Sequence, residues 1–166
     1  MRCYFSVQTN CETGSEEGSS RLWRDKRLIS FAIPDLGILF RAQYIGTHLE
    51  SGYVSLLVLL RFVEKNPQIF EKQNIDIYTH IPLIVYQVNK KIFCDKKNLP
   101  LKEMALFYRR KFFYNLSWIP EKENKALRGL LDFPPLEFGL KLDFEDLKEA
   151  FNTEGSITED LSHLSF

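Results

Sequence analysis

Apolar and polar positions alternate in the first third of the chain. The alternation is weak over residues 2–10, and two apolar runs follow, LISFAIPD and GILFRAQYIG, joined by a Pro-Asp-Leu-Gly turn. A period of two residues is typical of β-strands, and a turn of this composition connects neighbouring antiparallel strands. The pattern therefore predicts three consecutive strands.

Helical spacing then replaces the alternation. Residues 50–64, ESGYVSLLVLLRFVE, are apolar on most sides with Ser51 as a plausible N-cap, which predicts a helix laid against a sheet. NIDIYT predicts a fourth strand, and Pro82 fits the first turn of a short helix. LKEMALFYRRKFF predicts a helix, FYNLSWIP a fifth strand and ENKALRGLL a last helix. This order predicts an α/β fold: a mixed five-stranded sheet, three antiparallel strands and then alternating helices and strands, with helices on both faces.

Length and composition are those of one folded domain. The chain has 166 residues, of which 45% are hydrophobic and 14% aromatic, enough for a sizeable core. No window approaches the roughly 20 apolar residues that span a bilayer, and the N-terminus lacks a secretory pattern, so we expect a cytoplasmic protein with no membrane partner. Three cysteines without a C-x-x-C pair indicate neither a disulfide framework nor a zinc site.

The zero net charge hides an uneven distribution. Residues 21–132 carry 19 basic and 11 acidic residues, whereas residues 133–166 carry 2 basic and 8 acidic ones. We therefore divide the chain into a basic domain, residues 1–132, and an acidic C-terminal extension, residues 133–166, with one short helix and a loose tail.

Two separated stretches resemble a known family. IDIYTHIPLIVYQVNKK is similar to the fourth strand and following helix of the ribonuclease H-like superfamily, typically IYTDSQLVVNQVNGK. LSWIPEKENKALRGLL is similar to its last strand and helix, typically HVPREENKEADALA. The element order agrees over residues 2–131, so the resemblance implies a ribonuclease H-like fold.

The resemblance also implies that the family's nuclease activity is lost. That chemistry needs about four carboxylates around two metal ions. No acid stands at any matched position, and the cation at the last one would repel Mg²⁺. The matched residues are Gln8 (or Val7) on the first strand, Tyr53 (or Val54) in the first helix, His80 after the fourth strand and Arg128 in the last helix.

Displaced acids are the alternative. Glu50 and Asp132 lie about one helical turn from the matched positions, so a metal-dependent nuclease acting on RNA or an RNA/DNA hybrid with Mg²⁺ or Mn²⁺ stays open. One turn is about 5.4 Å, far more than a metal site tolerates. The leading prediction is thus an inactive domain without a cofactor, in which His80 is a structural residue.

Basic clusters with interleaved aromatics predict a binding function. Such clusters hold phosphates and stack bases, and an ordinary solvated face is the simpler alternative. A protein partner at the sheet edge or the acidic tail is a further possibility, and no binding role is assigned to Tyr78 or Trp118. The predicted phosphate contacts, to RNA or an RNA/DNA hybrid, are Arg109, Arg110, Lys111, Lys122, Lys125 and Arg128.

Overall fold

Five strands form one mixed sheet in the computed structural model, which describes residues 1–9, 25–90 and 92–127. The strands lie in the order β3-β2-β1-β4-β5; β1, β2 and β3 pair antiparallel, and β1, β4 and β5 pair parallel. This arrangement confirms the predicted mixed five-stranded sheet. The strands are β1 Arg2–Thr9, β2 Asp25–Ile33, β3 Ile38–Gly46, β4 Ile75–Thr79 and β5 Tyr114–Trp118.

The connection between β2 and β3 is the predicted turn. Pro34–Leu36 form one 3₁₀ turn, in which the N–H of Gly37 donates to the carbonyl of Pro34 at 3.0 Å. Gly37 has φ 64°, a left-handed conformation that glycine adopts without steric cost. The turn therefore depends on glycine at this position.

Four α-helices follow the chain: α1 His48–Lys65, α2 Pro67–Phe70, α3 Pro82–Lys90 and α4 Leu99–Lys111. The expected cap of α1 at Ser51 is wrong, because the helix begins one turn earlier. Thr47 is the N-cap, and it forms a capping box with Glu50. The short helix α2 was not predicted. None of the described helices is both long and apolar enough to cross a membrane.

Side chains of the strands alternate between the two faces of the sheet, and both faces are covered. On one face Phe31 of β2 contacts Phe62 of α1, with ring centroids 5.5 Å apart. On the other face Tyr4 and Ala32 pack with Ala126, which lies in a 3₁₀ turn at Lys125–Leu127. The long apolar helix thus covers one face, as its composition predicts, and the chain after β5 returns across the other face.

The segment after β5 differs from the predicted last helix. Its described part consists of two 3₁₀ turns, Glu121–Glu123 and Lys125–Leu127. The remainder of that predicted helix, with Arg128, lies outside the described residues. So does the acidic extension, residues 133–166, and the boundary at residue 132 stays a prediction.

Candidate functional site

The carboxyl ends of four strands meet at one edge of the sheet, here called the carboxyl edge. Strand β1 runs parallel to β4, and β4 runs parallel to β5; β3 has the direction of β1 because both pair antiparallel with β2. Helices α1 and α3 begin at this edge, since they directly follow β3 and β4. Ligands of mixed and parallel sheets bind outside such strand ends, where neighbouring connections diverge. The carboxyl edge is therefore the candidate site.

The pairing of β1 with β4 shows which residue lies beside His80. Tyr4 pairs with Tyr78, and their rings stack with centroids 5.4 Å apart. Continued by two residues past Tyr78, this parallel register brings His80, just after β4, level with Ser6. The sequence match to Gln8 or Val7 on β1 stays a prediction, and Ser6 is, like them, an uncharged side chain.

Asn124 connects the end of β4 with β1. Its Nδ2 donates to the carbonyl of Phe5 at 2.9 Å and lies 3.1 Å from Nδ1 of His80. Its Oδ1 accepts from the N–H of Ala126 at 3.0 Å. Asn124 is fully buried. The quoted ENK motif contained this residue, but only the fold shows that it reaches His80.

The surroundings of His80 disfavour its charged form. Burial lowers the pKa of His80 below its ordinary value of 6.5; Glu121 acts against this shift, and His48 adds to it. The side chain is half-buried. A structural role for His80 stays a prediction, and its contact with the buried amide of Asn124 is compatible with it.

Ser6 is an uncharged residue in the interior beside His80. It is fully buried, and its Oγ has no hydrogen-bond partner among the described residues. The backbone around it is engaged, because the single O–H of Ser55 is shared between the carbonyls of Ser6 and Ser30, which lie 3.1 and 2.9 Å from its Oγ. This position supplies no anionic ligand.

Helix α1 packs closely on the segment after β4 at Gly52. A Cβ added at Gly52 would lie 2.6 Å from Cδ1 of Ile84 and 2.9 Å from Cδ1 of Ile81, the residue that follows His80. Tyr53, the sequence match, points instead to α3 and donates from Oη to Oε1 of Gln87 at 2.8 Å. Among described residues, Gly52 rather than Tyr53 is the α1 position packed beside the end of β4.

Glu50, one of the two displaced acids, forms the capping box of α1 with its carboxylate. One of its carboxylate oxygens accepts from Tyr44 Oη at 2.9 Å, and the other accepts from the N–H of Thr47 at 3.3 Å. Asp132 lies outside the described residues. Within the described ranges, no group of three or more His, Cys, Asp or Glu side chains is arranged to hold a metal ion. The described residues therefore do not fit the two-metal chemistry.

The three basic residues at the end of α4 differ in availability. Arg109 lies over the ring of Tyr114 at 4.8 Å and donates to Oδ1 of Asn89 at 2.7 Å. Lys111 forms an ion pair with Glu64. Arg110 is exposed. Two of these three predicted phosphate contacts, Arg109 and Lys111, therefore already have partners within the protein.

The predicted contacts after β5 lie at the carboxyl edge, apart from those on α4. Lys122 is exposed and Lys125 is half-buried. Helix α4 ends just before β5, whose five residues span about 16 Å. The predicted basic residues thus lie at opposite ends of β5, those on α4 near its start and Lys122 and Lys125 after its end. Arg128 lies outside the described residues.

Trp118, to which the sequence assigned no binding role, is an exposed aromatic. It ends β5 opposite Thr79 and is 53% exposed. The local pattern of residues does not show that β5 is an outer strand of the sheet, where side chains stay accessible to solvent. The carboxyl edge therefore carries a solvent-facing indole close in sequence to Lys122 and Lys125.

Several solved structures share this fold at low sequence identity. RNase H1 from the halophilic archaeon Halobacterium salinarum has a TM-score of 0.56 and 12% identity, covering 75% of this chain and 89% of its own. LC11-RNase H1, isolated from compost and solved with an RNA/DNA hybrid, has a TM-score of 0.58 and 14% identity, covering 75% and 88%. The N-terminal RNase H domain of rv2228c from Mycobacterium tuberculosis has a TM-score of 0.55 and 14% identity, covering 74% and 85%.

The structural likeness establishes the fold. No protein-family model matches the chain, and no curated protein matches it. The strand order and the likeness to these solved structures both indicate a ribonuclease H-like fold. This confirms the fold that the two sequence stretches predicted.

Proposed function

We propose that this ribonuclease H-like chain is a catalytically inactive domain that acts by binding nucleic acid at the carboxyl edge of its sheet. The observation that carries the proposal is the composition of that edge. Half-buried His80, uncharged Ser6 and the closely packed Gly52 occupy the places beside the ends of β1 and β4, and none of them is a carboxylate. Metal-assisted hydrolysis needs converging carboxylates, so a binding function fits these residues better.

Nucleic acid is the ligand class that the fold and the surface favour. A solved structure with this fold, LC11-RNase H1, contains an RNA/DNA hybrid. In this chain the carboxyl edge carries exposed Trp118, with Lys122 and Lys125 a few residues later. An exposed indole stacks on a base while lysines hold phosphates, a combination typical of single-stranded or partly opened nucleic acid.

The predicted contacts on α4 have a smaller place in this proposal. Arg109 and Lys111 are engaged by Tyr114, Asn89 and Glu64. Arg110 is exposed, but it lies near the end of α4, just before β5 begins, whereas Trp118 is the last residue of that strand. We therefore expect Lys122 and Lys125 to contribute more to binding than Arg110.

The alternative, a metal-dependent nuclease using displaced acids, has less support. Glu50 already accepts two hydrogen bonds, from Tyr44 and Thr47. Turning its carboxylate toward His80 would break both the capping box and the bond to Tyr44. The first turn of α1 would therefore lose stability, and the site would gain only one metal ligand.

The test is a binding titration combined with a cleavage assay on the full chain. Fluorescently labelled single-stranded RNA and an RNA/DNA hybrid are titrated at about 50 to 200 mM salt, with and without Mg²⁺ or Mn²⁺. We expect binding that weakens with salt, no requirement for divalent ions and no cleavage. Replacing both Lys122 and Lys125 by Gln should lower the salt slope for single strands by about 1.4, because each phosphate contact contributes about 0.7.

Two outcomes would overturn the proposal. Metal-dependent cleavage would restore the nuclease alternative. Binding undetectable at the lowest salt, or an affinity that ignores salt, would point to a protein partner instead. Arg110→Gln is the matched control, since it removes one exposed cation at the opposite edge and should change the slope less than the double variant does.

A further inference from the structure

The hydrogen bonds of Asn124 fix the protonation state of His80. Oδ1 of Asn124 accepts from the backbone N–H of Ala126, and Nδ2 donates to the backbone carbonyl of Phe5. Backbone N–H groups only donate and carbonyls only accept. The orientation of the amide is therefore determined without reference to the histidine.

The second N–H of Nδ2 faces His80. Nδ2 lies 3.1 Å from Nδ1 of the ring, so Nδ1 is the acceptor and the ring proton is on Nε2. Protonation of Nδ1 would bring two donors together at this distance. The buried amide of Asn124, which has no exposed surface, would then lose a partner that water cannot replace.

We propose that Asn124 and His80 form a proton-sensitive latch, which holds the 3₁₀ segment of residues 120–127 on β1 only while Nδ1 of His80 is unprotonated. Two further polar bonds between described residues attach the segment, and Ile119 just before it, to the strands. Oγ of Ser30 donates to the carbonyl of Ala126 at 3.0 Å, and the N–H of Ile119 donates to the carbonyl of Thr79 at 2.9 Å. Neither bond involves a group that titrates, so His80 is the proton-dependent member of the set.

Two charged groups act on His80 from the elements around it. His48, at the start of α1, disfavours the imidazolium when it is itself protonated, and Glu121, in the first 3₁₀ turn, favours it. Burial disfavours the charged ring most, so the pKa of His80 in the closed latch lies below its ordinary value of 6.5. The latch is therefore intact above pH 6.5 and weakens as the pH falls from there toward the lowered value.

The consequence is a conformational response in the segment that carries Lys122 and Lys125. Opening releases the segment from β1 while β1 and β4 stay paired through their backbones. The hypothesis of the latch does not rest on the proposed function, because the latch is defined by protein atoms alone. A result that disproves the latch would leave the proposal of nucleic-acid binding intact, and a result that disproves nucleic-acid binding would leave the latch intact.

The first test uses the unmodified chain. ¹⁵N NMR of the imidazoles distinguishes an unprotonated Nδ1 from an unprotonated Nε2, and a pH titration follows the ring. We expect His80 to hold its proton on Nε2 at pH 7.5. Hydrogen exchange of the Ala126 amide should lose protection below pH 6.5, by up to about tenfold per pH unit relative to amides in α1.

Variants make the assignment specific. His80→Gln keeps an acceptor for Asn124 without a titrating ring, so Ala126 protection should become independent of pH. His48→Gln is the matched control and should retain the response. In Asn124→Asp a carboxylate faces Nδ1, so the pKa of His80 should rise above its value in the unmodified chain.

Three results would contradict the latch. The first is a proton on Nδ1 of His80 at pH 7.5 in the unmodified chain. The second is Ala126 protection that stays constant through complete protonation of His80. The third is an acid response that persists in His80→Gln or disappears in His48→Gln.

Discussion

Tyr44 and Glu50 are joined by a hydrogen bond of 2.9 Å between the phenol and the carboxylate. The bond connects β3 to the first turn of α1, and the other carboxylate oxygen of Glu50 accepts from Thr47 in the capping box. The most plausible displaced metal ligand in the described chain therefore stabilises the start of a helix. Variants of Glu50 therefore distinguish a structural acid from a metal-binding one.

We expect Glu50→Gln to change the free energy of unfolding by less than about 0.5 kcal/mol, because Gln also completes a capping box. Glu50→Ala should lose about 1 kcal/mol, since the cap and the bond to Tyr44 both disappear. Urea unfolding measures both values. Millimolar Mg²⁺ should not raise the stability of the unmodified chain; a rise that Glu50→Gln abolishes would identify Glu50 as a metal ligand.

A charged cluster between α1 and α4 gives a second prediction. Glu64 forms ion pairs with Arg61 and Lys111, and the side chains of Arg61 and Glu64 are only 10% and 11% exposed. Burial alone would raise the pKa of Glu64, but its hydrogen bonds and ion pairs with Lys111 and Arg61 outweigh burial and lower it. Glu64→Gln should therefore destabilise the chain by about 3 kcal/mol at pH 7, because the buried guanidinium of Arg61 loses the charge of its ion-pair partner Glu64.

The pH dependence of this cluster follows from the lowered pKa. Its contribution is complete above the ordinary value of 4.5 and is lost as the pH falls through the lowered value. The difference between the unmodified chain and Glu64→Gln should thus shrink below pH 4.5. Lys111→Gln is the control and should cost less than about 1 kcal/mol, since that side chain is 47% exposed. Equal losses in both variants would contradict the dominance of the buried pair.

Ser6 and Ser55 form a matched pair for a third prediction. Within the described residues the buried hydroxyl of Ser6 has no partner, whereas the O–H of Ser55 is shared between two backbone carbonyls. Ser6→Ala should leave stability unchanged or raise it by up to about 1 kcal/mol, and Ser55→Ala should lower it by about 1 to 2 kcal/mol. Thermal or urea unfolding of the two variants gives the comparison. A loss at Ser6 as large as that at Ser55 would show that the hydroxyl has a partner.

Two exposed aromatics at opposite ends of β5 test the location of the proposed interface. Trp118 is 53% exposed at the carboxyl edge, and Phe113, just before the strand, is 76% exposed. We expect Trp118→Ala to weaken single-stranded RNA binding by about 1 to 3 kcal/mol, because a stacked base loses its platform. Phe113→Ala should change the affinity much less. The reverse order, measured by the same titration, would move the interface to the other end of the strand.

The sequence predicted most of the fold because its signals are local. Alternation, the turn before Gly37 and the apolar run of α1 each arise within about fifteen residues, and all three are present in the structure. The start of α1 was misplaced because two hydroxyl residues four positions apart, Thr47 and Ser51, both fit a cap. Only the backbone shows that Thr47 is the one that forms it.

The candidate site was harder to predict because its members are distant along the chain. Alternation cannot show which residue of one strand pairs with which residue of another. The register of β1 with β4, continued past Tyr78, brings Ser6 rather than Gln8 level with His80. Likewise, the crowding at Gly52 depends on Ile81 and Ile84, about thirty residues away in the chain, and so has no local signal.

The sequence by itself determined the five strands and the long helix between β3 and β4, the mixed sheet and the absence of acids at the matched positions, because these are properties of residue identity and of local periodicity. Only the tertiary structure decided which cations are engaged, that Glu50 serves as a cap and that Asn124 joins His80 to β1. Hydrogen bonds and ion pairs act over a few ångströms of space, and the chain brings residues 44 positions apart, His80 and Asn124, to that distance only when it folds.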